Sequence, residues 1–193
     1  DSTANVLPAM LRLMYGSGLR IGEAVALRVK DVNLADRFLT VTISKNGKER
    51  LVPFSATVAE ALCQYQGSLS LRQEEGDHFF VKRNGRPCRE KTVYEWFRKI
   101  LHKAGISHGG RGKGPRLHDI RHSFSVHSMA AMAEAGLDLY YSLPILSEYL
   151  GHQSLEATDK YVRLTSELYP GLLHDAASIC SYAFPEVYNH DSN

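Results

Sequence analysis

Between Leu150 and Tyr161 the chain reads Leu-Gly-His-Gln-Ser-Leu-Glu-Ala-Thr-Asp-Lys-Tyr, and the run ends on a residue able to attack phosphorus. Leu150-Gly151-His152 has the form of a helix end and turn. Ser154 has that of the N-cap of a new short helix, with Tyr161 two turns along it. That spacing holds a phenol hydroxyl and an imidazole near one another. Cleaving a phosphodiester without a metal needs more: a nucleophile, cations that absorb negative charge in the transition state, and an acid for the leaving oxygen. Arg20, Lys45, His118 and Arg121 are candidates for what Tyr161 and His152 leave missing. Read alone, each of these residues also has an ordinary structural use.

The elements that would position these groups follow from local patterns. Residues from about Asn5 to Tyr15 carry the apolar period of a helix that stops at Gly16-Ser17-Gly18. A second helix starts near Leu19-Arg20-Ile21-Gly22-Glu23 and ends before Val29. Arg20 thus stands at a helix start, where a guanidinium can join the helix N–H groups in holding a phosphate. Glu23, three residues on, either orients Arg20 or makes with it a plain surface ion pair. Residues 37–43 alternate as a strand, Asn46-Gly47 signals a tight turn, and residues 50–54 return as the second strand of a β-hairpin. Lys45 and Lys48 flank that turn. Ammonium groups there can dip into a groove, or simply discourage edge pairing.

Further along, Thr57 to Leu69 reads as a helix, His78-Phe79-Phe80-Val81 as a short strand, and Asn84-Gly85-Arg86-Pro87 as a turn. A helix from about Lys91 to Ala104 buries Val93, Trp96, Phe97, Ile100 and Leu101. The glycine-rich loop 107–115, with Arg111 and Lys113, lacks the order and the preceding strand of a phosphate-cradling P-loop. It reads as a flexible phosphate-backbone contact or as a linker. Arg116 opens a long helix reaching about Gly136, in which His118 and Arg121 project from one face while Ile120 and Phe124 turn to the core. His118 and His122 have the spacing of a zinc pair. However, Asp119 stands where a metalloprotease needs glutamate, and Arg121 would set a fixed cation beside the metal, so no metal is expected. Pro144 suits the first turn of a helix ending at Gly151. Beyond Tyr161, Leu168, Leu172, Leu173, Ala176 and Ile179 make the apolar stripe of a tail helix.

With 193 residues, 44% hydrophobic and 23% charged, the chain can bury a sizeable core. Its net charge of +2 is unevenly placed: twelve basic residues against three acids lie between Lys82 and Arg121, and no Lys or Arg follows Arg163. The middle of the chain is a footprint for a polyanion, or a solvated helix face; the tail is acidic. Cys63, Cys88 and Cys180 are widely separated and odd in number, which gives neither a disulfide framework nor a zinc spacing, and no apolar run reaches the length of a membrane span. A reducing cytoplasm is the expected setting. The opening on Asp1, directly before a helical pattern, suggests a fragment that lacks an upstream partner domain.

Taken in order, Gly18-Leu19-Arg20-Ile21-Gly22-Glu23, Lys45 in a hairpin, His118-Asp119-Ile120-Arg121-His122, Leu150-Gly151-His152 and Tyr161 resemble the successive motifs of the tyrosine recombinase (phage integrase) family. The likeness runs from about Leu7 to Thr165. It implies an α+β fold, mostly α-helical with a small antiparallel β-sheet or hairpin: a catalytic domain over residues 1–165, followed by an acidic tail helix over 166–193. It also implies roles. Tyr161 attacks and forms a 3′-phosphotyrosyl link; Arg20 and Arg121 hold the nonbridging oxygens, and His152 donates to them. Lys45, with Lys48 as a fallback, protonates the leaving 5′-oxygen. His118 positions or deprotonates Tyr161, whose hydroxyl, with a free pKa near 10, does not ionise unaided. Glu23 and His122 support this set, and Lys48, Arg111, Lys113 and Arg116 contact the DNA backbone. Among ten tyrosines Tyr161 is chosen because it follows His152 by nine residues, the family's interval; Tyr149, the nearest rival, precedes it.

The partners so implied are double-stranded DNA and further protomers in a tetrameric synapse. The setting is nucleoid-associated, with no membrane and no cofactor. The tail either docks on a neighbouring protomer or packs in cis. The competing readings are a type IB topoisomerase-like relaxing enzyme, a DNA-binding accessory protein without chemistry, and a metal-dependent nuclease.

Overall fold

The computed structural model describes residues 2–42, 49–107, 109 and 113–151, and these form two compact units. The first comprises residues up to Phe124 together with Tyr149–Gly151; the second contains Ser125–Glu148. His152, Tyr161, Lys45, Lys48, Arg111, the Asn46-Gly47 turn and the tail helix lie outside the described residues.

The first unit is built on helix α1 (Ser2–Ser17), whose Val6, Leu7, Met10, Leu13 and Met14 recur at helical spacing and are all buried. Helix α3 (Ala56–Gly67) lays Val58, Leu62 and Tyr65 against it. The approach is close: a Cβ on Gly16 would meet Val58 Cγ2 at 2.6 Å. Ser55 caps α3 by accepting from the Val58 N–H. Between these helices run the short α2 (Ile21–Ala26) and a three-stranded antiparallel sheet in the order β1 (Val32–Asn33), β2 (Phe38–Thr42), β3 (Glu49–Pro53). Leu39 of β2 pairs with Val52 of β3, so Leu39, Val41 and Val52 fill the core side. Helix α4 (Glu90–Lys103) closes the layer with Val93, Phe97 and Leu101.

Several sequence expectations need correcting. The hairpin has a third strand, β1. It is only two residues long, and it turns back through Asn33, whose Oδ1 accepts from the Asp36 N–H at 2.9 Å. Arg37, expected in the strand, has φ 59° and belongs to that turn. His78–Val81 is no strand: it makes only single bridges, to Arg28 and Pro87, because Tyr65 and Gln73 take its backbone groups. Ile100, expected to be buried, is 40% exposed, since the apolar stripe of α4 is narrower than its composition suggests.

Helix α5 (Leu117–Glu134) begins in the first unit and continues in the second. The second unit buries Val126, Met129, Ala130, Leu143 and Leu146 from α5 and α6 (Leu139–Leu150). Gly136, with φ 79°, ends α5, and the Leu137 N–H returns to the Met132 carbonyl. Asp138 then starts α6, its Oδ1 accepting from the Tyr141 N–H. This cap begins the helix earlier than expected, so Pro144 sits past the first turn, inside the helix. No described helix is long and apolar enough to cross a membrane.

Gly18 ties the first unit together. Its φ is +64°, and a Cβ there would meet Phe124 Cδ1 at 2.5 Å and Leu150 Cδ2 at 3.0 Å. Gly18→Ala therefore combines left-handed backbone strain with overpacking. It should cost about 2 kcal/mol or more, read as a fall in melting temperature of roughly 5 °C. Gly76→Ala, where a Cβ meets nothing within 4 Å, is the control and should leave the melting temperature unchanged.

Candidate active site

Arg20 is the N-cap residue of α2, in extended backbone with φ −71° and ψ 151°. Its own N–H donates to Glu23 Oε2 at 2.8 Å, while its Nη1 meets Glu23 Oε1 at 3.2 Å. The acid at the third helical position thus anchors both the backbone and the side chain of the residue that opens the helix. The same device recurs at Arg116 with Asp119, and at Arg28 the Asp31 carboxylate holds the backbone N–H alone. At Arg20, among the described residues, two further arginines join it.

Two more arginines converge on Glu23. Arg50, on β3, ion-pairs with Oε1 at 3.0 Å, and Arg121, on α5, brings Nη1 to 3.9 Å from Oε2. Burial alone would raise the Glu23 carboxyl. The Arg50 guanidinium, the Arg20 N–H and the charges of both arginines outweigh it and hold the pKa below its ordinary value. Three cations face one carboxylate, so the cluster keeps an excess of positive charge suited to an anion. The three differ in reach: the side chain of Arg20 is 39% exposed, that of Arg50 11% and that of Arg121 1%.

What the two buried arginines hold is backbone at the ends of helices. Arg121 Nη1 donates to the Gly18 carbonyl just past α1, and Nη2 to the Leu150 carbonyl at the end of α6, both at 2.7 Å. Arg50 Nε donates to the Tyr149 carbonyl at 3.0 Å. Carbonyls at a helix C-terminus lack intrahelical partners and carry the negative end of the macrodipole, so a cation there is doubly favoured. Gly151 follows with φ 65°, a left-handed cap that only glycine adopts without strain, and the chain passes next to His152. Tyr149 is pinned as well: its ring stacks on Phe124 at 5.6 Å and its hydroxyl donates to the Pro53 carbonyl at 3.2 Å. Burial pushes that phenol up to about 12 despite the nearby Arg50 and Arg121.

The structure thus brings Arg20, Glu23 and Arg121 together. His118 lies elsewhere on α5: it is exposed, and its ring meets His122 edge-on at 4.6 Å. His118 and Arg121 share a side of the helix but not a depth, because three residues still leave about 60° between them. Arg116 and Lys113 are exposed, and Arg116 Nη2 is paired with Asp119 at 2.9 Å. Burial would raise the Asp119 carboxyl, but the hydrogen bonds and charge of Arg116, with His122 nearby, lower it. No group of three metal-ligating side chains comes together among the described residues. Arg50 is the residue that local sequence reading overlooks. Its signal is the strand period: it shares the inward side of β3 with Val52, an unusual place for a charge.

A carboxylate whose folded pKa is depressed stabilises the fold fully above its ordinary value of 4.5, and that contribution is lost as pH falls through the lower folded value. Glu23→Gln should therefore be less stable than the parent at pH 7. The gap in melting temperature should narrow as pH drops from about 4.5 towards 3. A gap independent of pH would contradict this placement of Glu23.

The model of the Phage integrase family matches residues 1–167. The tyrosine recombinase XerA of Pyrococcus furiosus is 34% identical over 158 residues, covering 80% of this chain and 49% of that protein. The tyrosine recombinase XerD of Corynebacterium glutamicum is 30% identical over 161 residues, covering 82% and 48%. The chain spans about half the length of these curated relatives. Among solved structures, that of XerA recombinase has a TM-score of 0.64 at 22% identity, covering 97% of this chain and 64% of the other. XerH site-specific recombinase, in a post-cleavage complex with palindromic difH substrate, has the same score and identity, covering 93% and 47%. With the family model matching residues 1–167, the chain belongs to the Phage integrase family.

Proposed function

We propose that this chain is the catalytic part of a site-specific DNA recombinase that cuts and rejoins strands through a 3′-phosphotyrosyl link, using neither metal nor ATP. The observation that carries this reading is the cluster of Arg20, Arg50 and Arg121 on Glu23, built at the end of α6, in a family member whose next residues are Gly151 and His152. Arg20 is the accessible fork for a nonbridging oxygen. Arg121 joins it by exchanging one of its two carbonyl hydrogen bonds for the phosphate, and its charge is strong there because little water screens it.

The electron flow is simple. The Tyr161 hydroxyl attacks phosphorus while His118 positions it or takes its proton; the P–O bond to the 5′-oxygen breaks, and Lys45 protonates that oxygen. His152 donates to the nonbridging oxygens. A free 5′-hydroxyl from the partner strand then reverses the step, and the covalent link conserves the bond energy. Lys48, Arg111, Lys113 and Arg116 neutralise flanking phosphates, with His122 in support, and four protomers on two DNA sites form the synapse. Residues 166–193 serve as an acidic tail helix that docks on a neighbouring protomer or packs in cis. Names of the relatives support recombination over simple relaxation of supercoils.

The test is a nicked suicide duplex whose sequence has been selected for binding from randomised DNA. The protein should form a covalent adduct in the presence of chelator. Tyr161→Phe should abolish it, while Tyr149→Phe should retain it, because that phenol is held near pKa 12 and donates to Pro53. Loss of the adduct in Tyr149→Phe with its survival in Tyr161→Phe would overturn the assignment.

A further inference from the structure

We infer that Arg50 is a positioning residue for strand cleavage, resting on the function proposed above: it sets Glu23, and through it Arg20, while holding the backbone that leads into Gly151 and His152. Its guanidinium spans two places at once, with Nη1 3.0 Å from Glu23 Oε1 and Nε donating to the Tyr149 carbonyl at 3.0 Å. With 11% of its side chain exposed against 39% for Arg20, Arg50 leaves Arg20 as the accessible ligand for a phosphate.

Two consequences follow from the geometry. Glu23 Oε1 is shared between Arg50 and Arg20, at 3.0 and 3.2 Å. Without Arg50, the whole attraction of that oxygen falls on Arg20 and draws the exposed guanidinium inward, away from an incoming phosphate. The Tyr149 carbonyl would also lose its donor, one residue before the carbonyl that Arg121 holds. The end of α6 would then be fixed from one side only. Arginine is needed because its planar fork carries two donors at fixed separation, whereas lysine offers one mobile ammonium. Apolar residues replacing Arg50 and Glu23 together would pack well enough for the fold alone, so the retention of a charged pair there points to orientation rather than stability.

Single-turnover cleavage of the nicked duplex by the full-length protein tests this. Arg50→Lys, which keeps the charge but not the fork, should slow adduct formation about tenfold, and Arg50→Gln about a hundredfold. DNA affinity at fixed salt and the final adduct yield should stay within about threefold of the parent. A cleavage rate constant unchanged in Arg50→Gln, or affinity falling in step with the rate, would overturn the inference. So would a reduced yield at an unchanged rate, the mark of a merely structural residue. A second readout needs no chemistry: amide hydrogen exchange at Gly151 should rise about tenfold in Arg50→Lys, with none at Leu62 in the α3 core. Unchanged exchange at Gly151 would overturn the inference. If the parent forms no adduct at all, the recombinase reading fails, and the exchange measurement still decides what Arg50 holds.

Discussion

The carboxylate of Glu23 is the one group on which the arrangement depends. It is mostly buried, held ionised by Arg50 and Arg20, and approached by Arg121 from a third direction. An isolated carboxylate in such a place would protonate, and isolated guanidiniums would be strongly destabilising; together they offset one another's desolvation. Because the partners come from α2, β3 and α5, a purely electrostatic requirement also fixes three elements relative to one another within the unit.

That cluster reaches the chain ahead through backbone carbonyls. Arg121 joins the end of α1 to the end of α6, and Arg50 takes the preceding carbonyl of α6. Gly18 is the point where this closeness is felt sterically, since only hydrogen fits between its Cα and Phe124. Helix ends normally leave carbonyls to water. Here they are placed as ligands for buried cations, and the residue after the second helix end is the glycine that leads into His152.

Much of this was legible in the sequence because it is local. Arg20 at a helix start, Glu23 on the same face and Arg121 on a long helix are all consequences of spacing within a few residues. The small sheet was seen as a hairpin, while its two-residue β1 was not, being too short to carry a period. Pro144 misled because proline favours a first turn, whereas Asp138 capped the helix earlier. Arg50 was hidden for another reason: its partner carbonyl is 99 residues away, and no local pattern can declare such a contact. Only the alternation with Val52 hinted that it faced inward. His118 shows the limit of helical spacing, which gave the side of α5 but not the depth.

The most direct test of this account is a double-mutant cycle on stability at pH 7 with Glu23→Gln and Arg50→Gln. If the two charges hold one another in a buried network, each single change strands its partner, and the double variant should be more stable than the sum of the two losses by about 1–3 kcal/mol. Losses that add to within about 0.5 kcal/mol would contradict it, because independent side chains behave in that way.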